Sequence, residues 1–245
     1  MVVVIDEKDR RVLEKRLPND LSLTLLELAP YADSLSGVAV ESTFNWYWLV
    51  DGLQEAGFSV KLVNTCAVKQ YDGLKYSGDR HDAYWLAHLL RLGILPTGYI
   101  YPKEERAVRD LLRRRLFLVR SASAQLISVQ SQIWRSTGIR IKSADLKRSG
   151  MELPVLDAFT RQGVESGLSV YHTLAHEISR IEQTVSDAIK LSDDYRLLQT
   201  IRGVGPILAQ TIQLEVGDIN RFASAGKFAS YCRCVQSERV SNGKR

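Results

Sequence analysis

The sequence is poor in cysteine, has no long apolar run and carries no large excess of charge of either sign. Its 245 residues include three cysteines, too few for a disulfide framework, so we expect a reducing environment and small, buried thiols. No apolar run approaches the roughly 20 residues that a membrane helix requires. No basic segment precedes the first apolar residues. We therefore expect a cytoplasmic protein with no membrane partner and no secretion signal.

The composition is that of a globular protein, with 45% hydrophobic and 25% charged residues. A net charge of +5 is only weak evidence for a nucleic-acid partner. The distribution says more, because Arg106, Arg109 and Arg113 share one helical face and Arg114 adjoins them. Such a stripe of guanidinium groups could follow DNA phosphates. A solvated face of a helical hairpin explains it equally well.

Strand and helix signals alternate in the first hundred residues. Short apolar runs predict strands at residues 2–5, 11–17, 37–41 and 58–63, the first two forming a hairpin. Asn19 or Asp20 can cap a helix over 21–28, and an aromatic-rich helix is predicted from Thr43 to Gly57. This order predicts an α/β domain with a mixed sheet.

Helical patterns dominate the rest of the chain. Residues 104–136 hold regularly spaced apolar side chains with no proline and no glycine, and residues 168–191 form a second amphipathic pattern. Together they predict a long antiparallel hairpin or coiled coil, which could either bridge domains or make a dimer.

A Gly-Val-Gly-Pro motif follows at residues 203–206. A helix is expected to end at the two glycines and another to begin at Pro206. This is a helix-hairpin-helix pattern, in which Gly203 and Gly205 let the backbone approach a phosphate. A tight turn between packed helices would have the same sequence.

Three carboxylates form the candidate catalytic group. Asp79 and Asp82 lie three residues apart at the start of an apolar helix, and Glu41 ends a buried strand. Carboxylates are ligands for hard cations such as Mg²⁺, which acts on phosphodiesters in many enzymes. Acids at a helix N-terminus also favour the helix dipole and need have no other role.

Taken together, four stretches resemble the DEDD transposases of bacterial insertion sequences, a family that includes Piv-type DNA invertases and bridge-RNA-guided recombinases. The matching stretches are residues 38–41, 75–83, 201–206 and 228–232.

The resemblance implies an architecture of three parts. Residues 1–98 would form an RNase H/RuvC-like α/β domain, and residues 99–192 a helical coiled-coil spacer. Residues 193–245 would belong to a mostly α C-terminal transposase domain with a helix-hairpin-helix. The family's first strand and the end of its serine domain are expected to be missing, so that the chain is truncated at both ends.

The resemblance also implies the site. Glu41, Asp79 and Asp82 match the second, third and fourth of the four acids that bind Mg²⁺ in the family, and the first is expected to be missing. Ser241 stands nearest to the family's nucleophilic serine, with Ser237 as the alternative. Their reaction would be attack on a DNA phosphodiester followed by strand exchange, on the element ends and the target DNA.

Two other functions stay open. A truncated chain could bind nucleic acid without catalysis, or the acids could serve a RuvC-like nuclease that uses water as its nucleophile. A guide RNA is a partner in part of the family only. A homo-oligomer is expected, because family members work as multimers.

Overall fold

The structure, a computed structural model, describes residues 1–68, 78–148, 150–188 and 193–235 and divides the chain into two compact units. The first unit is Met1–Lys103 and the second is Glu104–Arg245. The described residues are mostly helical, with two small sheets in the first unit. No helix in these ranges is both long and apolar enough to cross a membrane.

A β-hairpin opens the first unit, as predicted. Strand β1 (Val2–Ile5) pairs antiparallel with β2 (Arg11–Lys15), with Val3 opposite Glu14. In the turn Asp9 has a φ of 67°, and its backbone N–H donates to the carbonyl of Asp6 at 3.0 Å.

Helix α1 (Leu21–Leu28) then packs beside the hairpin. Of the two predicted caps, Asp20 holds the position, because its side chain accepts a hydrogen bond from the Leu23 N–H at 3.0 Å. A 3₁₀ turn over Ala29–Tyr31 follows.

The rest of the first unit alternates strands with helices. The elements are β3 (Val38–Glu41), α2 (Tyr47–Glu55), β4 (Val60–Val63), α3 (Thr65–Val68) and α4 (Asp79–Arg91). The predicted start of α2 at Thr43 is wrong. There the Thr43 hydroxyl donates to the side chain of Asn45 at 2.9 Å, in a local turn that competes with helix, and Phe44 is fully exposed.

The described strands form two sheets, and the prediction of one mixed sheet is wrong for this part of the chain. Among the described residues β1 pairs only with β2, and β3 pairs only with β4, in parallel. Side chains alternate along β3, so Val38 and Val40 join the core with α1 and α2, whereas Ala39 packs with α4. Helices therefore cover both faces of the β3–β4 pair.

Two long helices organise the second unit. The proline- and glycine-free run forms α5 (Lys103–Thr137), as predicted, and a short α6 (Ser143–Leu146) leads to α7 (Ala158–Ala188). Leu118 packs with Ile181 near one end of the pair, and Ile133 packs with Val164 near the other. The two helices are therefore antiparallel, as predicted.

Three short helices complete the described chain, namely α8 (Asp193–Gln199), α9 (Pro206–Val216) and α10 (Ala225–Tyr231). A 3₁₀ turn over Ile219–Arg221 separates the last two. Leu214 of α9 packs in the same core cluster as α5 and α7. The division of the chain into three domains stays a prediction.

The three thiols are exposed, so the prediction that they are small core residues is wrong. Cys66 lies in the single turn of α3, and Cys232 and Cys234 follow α10. Each lies in or next to a short element that leaves the side chain at the surface.

Candidate active site

Glu41 closes strand β3, and its side chain is exposed. Its carbonyl accepts a hydrogen bond from the Thr43 N–H at 2.9 Å, which turns the chain away from the strand. A carboxylate at the end of a strand, beside a turn, is open to a substrate or a cation.

Asp79 and Asp82 occupy the first turn of α4. Gly78 caps the helix without a side chain, and its carbonyl accepts a hydrogen bond from the Asp82 N–H at 3.0 Å. Both carboxylates are exposed and lie where the positive end of the helix dipole favours them.

The packing of β3 along α4 brings the three acids to the same end of the unit. At the start of β3, the Cβ position of Gly37 lies 3.8 Å from Leu90 Cδ2, near the end of α4. Ala39 packs in the cluster that includes Leu86. Glu41 lies two residues beyond Ala39 along the strand, a distance of about 6.6 Å. Asp82 lies four residues before Leu86 along the helix, a distance of about 6 Å. Glu41 is therefore level with Asp82.

One groove contains all three acids. We call it the inter-sheet groove; it has a volume of about 850 Å³ and is lined by residues 1–6 of the hairpin, by residues 36–41 around β3 and by side chains of α1, α2 and α4, including Asp79 and Asp82. Within the described ranges, however, no three carboxylate, histidine or cysteine side chains lie close enough together to hold a metal ion. The donor chemistry suits Mg²⁺, but these residues do not fit a preformed three-ligand site.

Asp9 holds the hairpin turn against α4. Its carboxylate accepts hydrogen bonds from the Tyr84 hydroxyl at 2.8 Å and from Arg91 Nε at 3.0 Å, and His88 Nδ1 lies 2.7 Å away. We call these four residues the Asp9 clamp. The contact with His88, supported by the hydrogen bonds from Tyr84 and Arg91, lowers the pKa of Asp9 to about 2. The hydrogen bond that Tyr84 donates to Asp9 raises the pKa of Tyr84.

Sequence reasoning missed this clamp, although a signal was present. Tyr84, His88 and Arg91 recur at i, i+4 and i+7, which puts three hydrogen-bonding side chains on one face of an otherwise apolar helix.

Cations surround the start of α4. Arg80 forms an ion pair with Glu14 of β2 and thereby lowers the pKa of that carboxyl group. Arg16 Nη2 lies 3.9 Å from Asp79 Oδ2, at the outer limit of an ion pair. The positive charge of Arg16, at the edge of the hairpin, therefore partly balances the negative charge at the acidic end of the groove.

The arginine stripe of α5 is divided between core and surface. Arg106 and Arg109 are 4% and 8% exposed, whereas Arg113 and Arg114 lie at the surface. Arg113 forms a bidentate ion pair with Glu215, in which Nε and Nη2 donate to the two carboxylate oxygens at 2.5 and 2.6 Å. Of the four arginines predicted to contact phosphates, Arg113 and Arg114 are therefore the ones at the surface.

The glycine motif forms a turn between α8 and α9. Gly203 has a φ of 91°, a conformation that favours glycine, and Gly205 caps α9 with Pro206 in the first turn. α8 ends at Gln199, four residues before Gly203, so the predicted helix end at the glycines is displaced. The two candidate nucleophiles, Ser241 and Ser237, lie outside the described residues.

Comparison with known proteins identifies the class to which the chain belongs. One family model, described as a transposase of the DEDD, IS110 type, matches residues 1–134, which is more than half of the chain. A second, described as the transposase IS116/IS110/IS902 family, matches residues 195–245. The chain belongs to the IS110 family of transposases.

Two relatives of the chain are named as transposases. The transposase y4qE of Sinorhizobium fredii is 27% identical over 201 residues, which cover 79% of this chain and 48% of the relative. The transposase for insertion sequence element IS1111A of Coxiella burnetii is 24% identical over 208 residues, covering 82% of this chain and 56% of that protein. The chain thus spans about half the length of these relatives.

Proposed function

We propose that this chain acts as part of a transposase that cuts and rejoins DNA phosphodiesters at the ends of a mobile element. The observation that carries the proposal is the position of Glu41, Asp79 and Asp82 at one end of a single groove, in a chain of the IS110 family. The hairpin, β3, β4 and their covering helices would form an RNase H/RuvC-like domain over residues 1–98.

The proposed chemistry divides between the carboxylates and a serine. The hydroxyl oxygen of Ser241 attacks phosphorus, a phosphoserine bond forms, and the bond from phosphorus to a DNA sugar oxygen breaks. Ser237 is the alternative nucleophile. Glu41, Asp79 and Asp82 provide the negative charge that would attract Mg²⁺. The three carboxylates do not converge on one point in the described structure, so they would attract the cation without forming a preformed site for it.

DNA would bind along the second unit. Arg113 and Arg114 present cations on α5, and the turn of Gly203 and Gly205 exposes the N-terminus of α9 to a phosphate in the manner of a helix-hairpin-helix. The antiparallel pair α5 and α7 would serve as a coiled-coil spacer and as the contact in a homo-oligomer. A guide RNA remains a partner that only part of the family uses.

The test is a covalent-adduct assay with an intact-length version of the protein and the DNA of its element ends. A protein–DNA adduct that survives denaturation is expected from the parent, and it should vanish in Ser241→Ala but persist in Ser237→Ala. Asp79→Asn and Asp82→Asn should each lower its yield while leaving DNA binding intact.

Other outcomes would contradict parts of the proposal. An adduct retained by Ser241→Ala and lost by Ser237→Ala would move the nucleophile to Ser237. DNA cleavage without any adduct, dependent on Asp79, would favour a nuclease that uses water. Salt-sensitive DNA binding with neither product would leave a binding protein without catalysis.

A further inference from the structure

Much of the net positive charge of the chain lies in one short segment between the two long helices. Residues 135–148, from the last turn of α5 to just beyond α6, hold five cations and one acid, a net charge of +4, whereas the whole chain carries +5. All five cations are exposed, and they are Arg135, Arg140, Lys142, Lys147 and Arg148. Among the described residues only Arg148 of these five forms an ion pair, with Asp145 at 3.8 Å. The segment therefore presents positive charge that the described carboxylates leave largely uncompensated.

An exposed tryptophan lies beside these cations. Trp134, in the last turn of α5, is 50% exposed, and the guanidinium carbon of Arg140 lies 4.3 Å from the centroid of its ring. A planar cation is thus stacked on one face of the indole. A single exposed ring needs no explanation. An exposed ring that carries a stacked guanidinium, within a basic segment, indicates a surface for an anionic partner with a planar group.

The loop that carries Arg140 is fixed to α5. Gln130 Nε2 donates a hydrogen bond to the carbonyl of Ile141 at 2.7 Å, and Gln130 lies one helical turn before Trp134. The loop therefore runs back along the end of the helix. Ile141 packs in the core between α5 and α7, whereas Arg140 and Lys142 on either side of it are exposed. Trp134, Arg140 and Lys142 therefore lie on one ordered surface.

We define the loop-end patch as Trp134, Arg135, Arg140, Lys142 and Lys147. Its exposed cations attract phosphates, and its indole and guanidinium planes offer faces on which a nucleobase can stack. The bases of a double helix are already stacked on their neighbours, so only an unpaired base can reach a side-chain ring. The combination therefore favours a single strand or a looped-out nucleotide over a duplex.

A second copy of the chain fits the loop-end patch less well. Two copies that met at this patch would bring two segments of net charge +4 together, and like charges repel. An acidic peptide would satisfy the charge but would leave the indole face without a planar partner. A nucleic acid satisfies both, because each of its units carries a phosphate and a flat base.

We propose that the loop-end patch binds an unpaired nucleotide of a single-stranded nucleic acid. The base stacks on Trp134 and Arg140, and the adjacent phosphates contact the other three cations of the patch. Trp134 lies about 30 Å along α5 from Arg113, so this surface is separate from the one proposed for element DNA. The inference does not depend on the transposase chemistry. Either a DNA or an RNA strand can supply the nucleotide.

The test measures binding of labelled ten-nucleotide oligodeoxythymidylate and oligouridylate to the full chain by fluorescence anisotropy, and the tighter of the two identifies the source of the strand. Trp134→Ala should weaken this binding about 5- to 150-fold, the range expected for the loss of one stacked base. Trp134→Phe keeps a ring and should bind within about threefold of the parent. Ile127→Ala removes another exposed apolar side chain of α5 and should change nothing.

A duplex of the same length separates this site from general binding of DNA. Trp134→Ala should leave duplex affinity within about twofold of the parent, because paired bases do not reach the ring. A loss of duplex binding in Arg113→Met, with single-strand binding retained, would concern the proposed DNA surface alone. Failure of the covalent-adduct assay would likewise leave the single-strand results unaffected.

Two further measurements locate the contact. Trp134 is the only tryptophan of the second unit, and stacking of a base should quench its fluorescence. Trp134→Phe should therefore lose that quenching while it still binds the strand. Lys142→Ala should reduce the slope of log affinity against log salt by about 0.7, the value for one phosphate contact to a single strand. Arg180→Ala, which removes an exposed cation already paired with Glu177, should leave the slope unchanged.

Three results would overturn the proposal. The first is undiminished single-strand binding by Trp134→Ala, in a chain shown to be folded by its circular dichroism. The second is an equal loss of single-strand and duplex binding in that variant. The third is self-association of the parent that Trp134→Ala abolishes while oligonucleotide binding is unchanged, which would assign the patch to a second copy of the chain.

Discussion

Two glycines of α7 should respond in opposite ways to the same substitution. Both lie inside the helix, where alanine is favoured over glycine by about 0.5–1 kcal/mol. A Cβ at Gly167 would lie 2.6 Å from Val129 Cγ2, and a Cβ at Gly163 would lie 2.7 Å from the Gln132 side-chain oxygen. The neighbours differ, because Val129 is fully buried and β-branched, whereas Gln132 is half-buried and flexible.

The expected magnitudes follow from these contacts. Carbon atoms in contact prefer about 3.5–4.0 Å, so Gly167→Ala must push α5 and α7 apart by roughly 1 Å. Overpacking of this kind costs about 1–3 kcal/mol, which outweighs the gain in helix propensity and leaves the variant destabilised by up to about 2.5 kcal/mol. Gly163→Ala only displaces the end of Gln132, and it should stabilise the helix by about 0.5–1 kcal/mol.

Hydrogen exchange of the α5 and α7 amides measures the effect within the second unit. Exchange of these amides reports the free energy of local opening in the second unit, to which the hairpin and the sheets of the first unit do not contribute. Gly163→Ala is the matched control for Gly167→Ala. Equal stabilisation by both substitutions would refute the close approach of α5 and α7 at Val129.

Three further predictions concern the Asp9 clamp, the core and the surface. Because the pKa of Asp9 is lowered from 3.8 to about 2, its contribution to stability is present above pH 3.8 and is lost as the pH falls toward 2; Asp9→Asn should remove that part of the acid dependence in thermal melts. Ile133→Ala, in the core of α5, should cost about 2–5 kcal/mol in urea unfolding, whereas Ile127→Ala, on its exposed face, should change stability by less than about 0.5 kcal/mol. Arg113→Met should cost less than about 1 kcal/mol, a loss that shrinks in high salt, because the ion pair with Glu215 is solvent-exposed.

Long regular elements were predictable from the sequence, and their ends were not. The absence of proline and glycine over residues 104–136 was sufficient to predict α5. The second long helix begins ten residues before its predicted start, because Asp157 caps it by accepting hydrogen bonds from the N–H groups of Phe159 and Thr160 at 3.1 and 3.0 Å. A hydrogen bond from the Thr160 side chain, together with these backbone bonds, lowers the pKa of Asp157. Asp157 is recognisable in the sequence as a possible cap. The apolar periodicity that follows it is weaker, however, so the start of the helix was not predicted.

The candidate site was predictable in its residues and not in its geometry. The sequence correctly predicted Glu41 at the end of a strand and Asp79 and Asp82 at the start of a helix, the positions at which a cluster of carboxylates was expected. Their separation depends on how α4 packs, which is set by Asp9, 70 residues or more away in sequence from the groups that bind it. Contacts of such long range leave no mark in local spacing, so the sequence could not show that the acids do not converge.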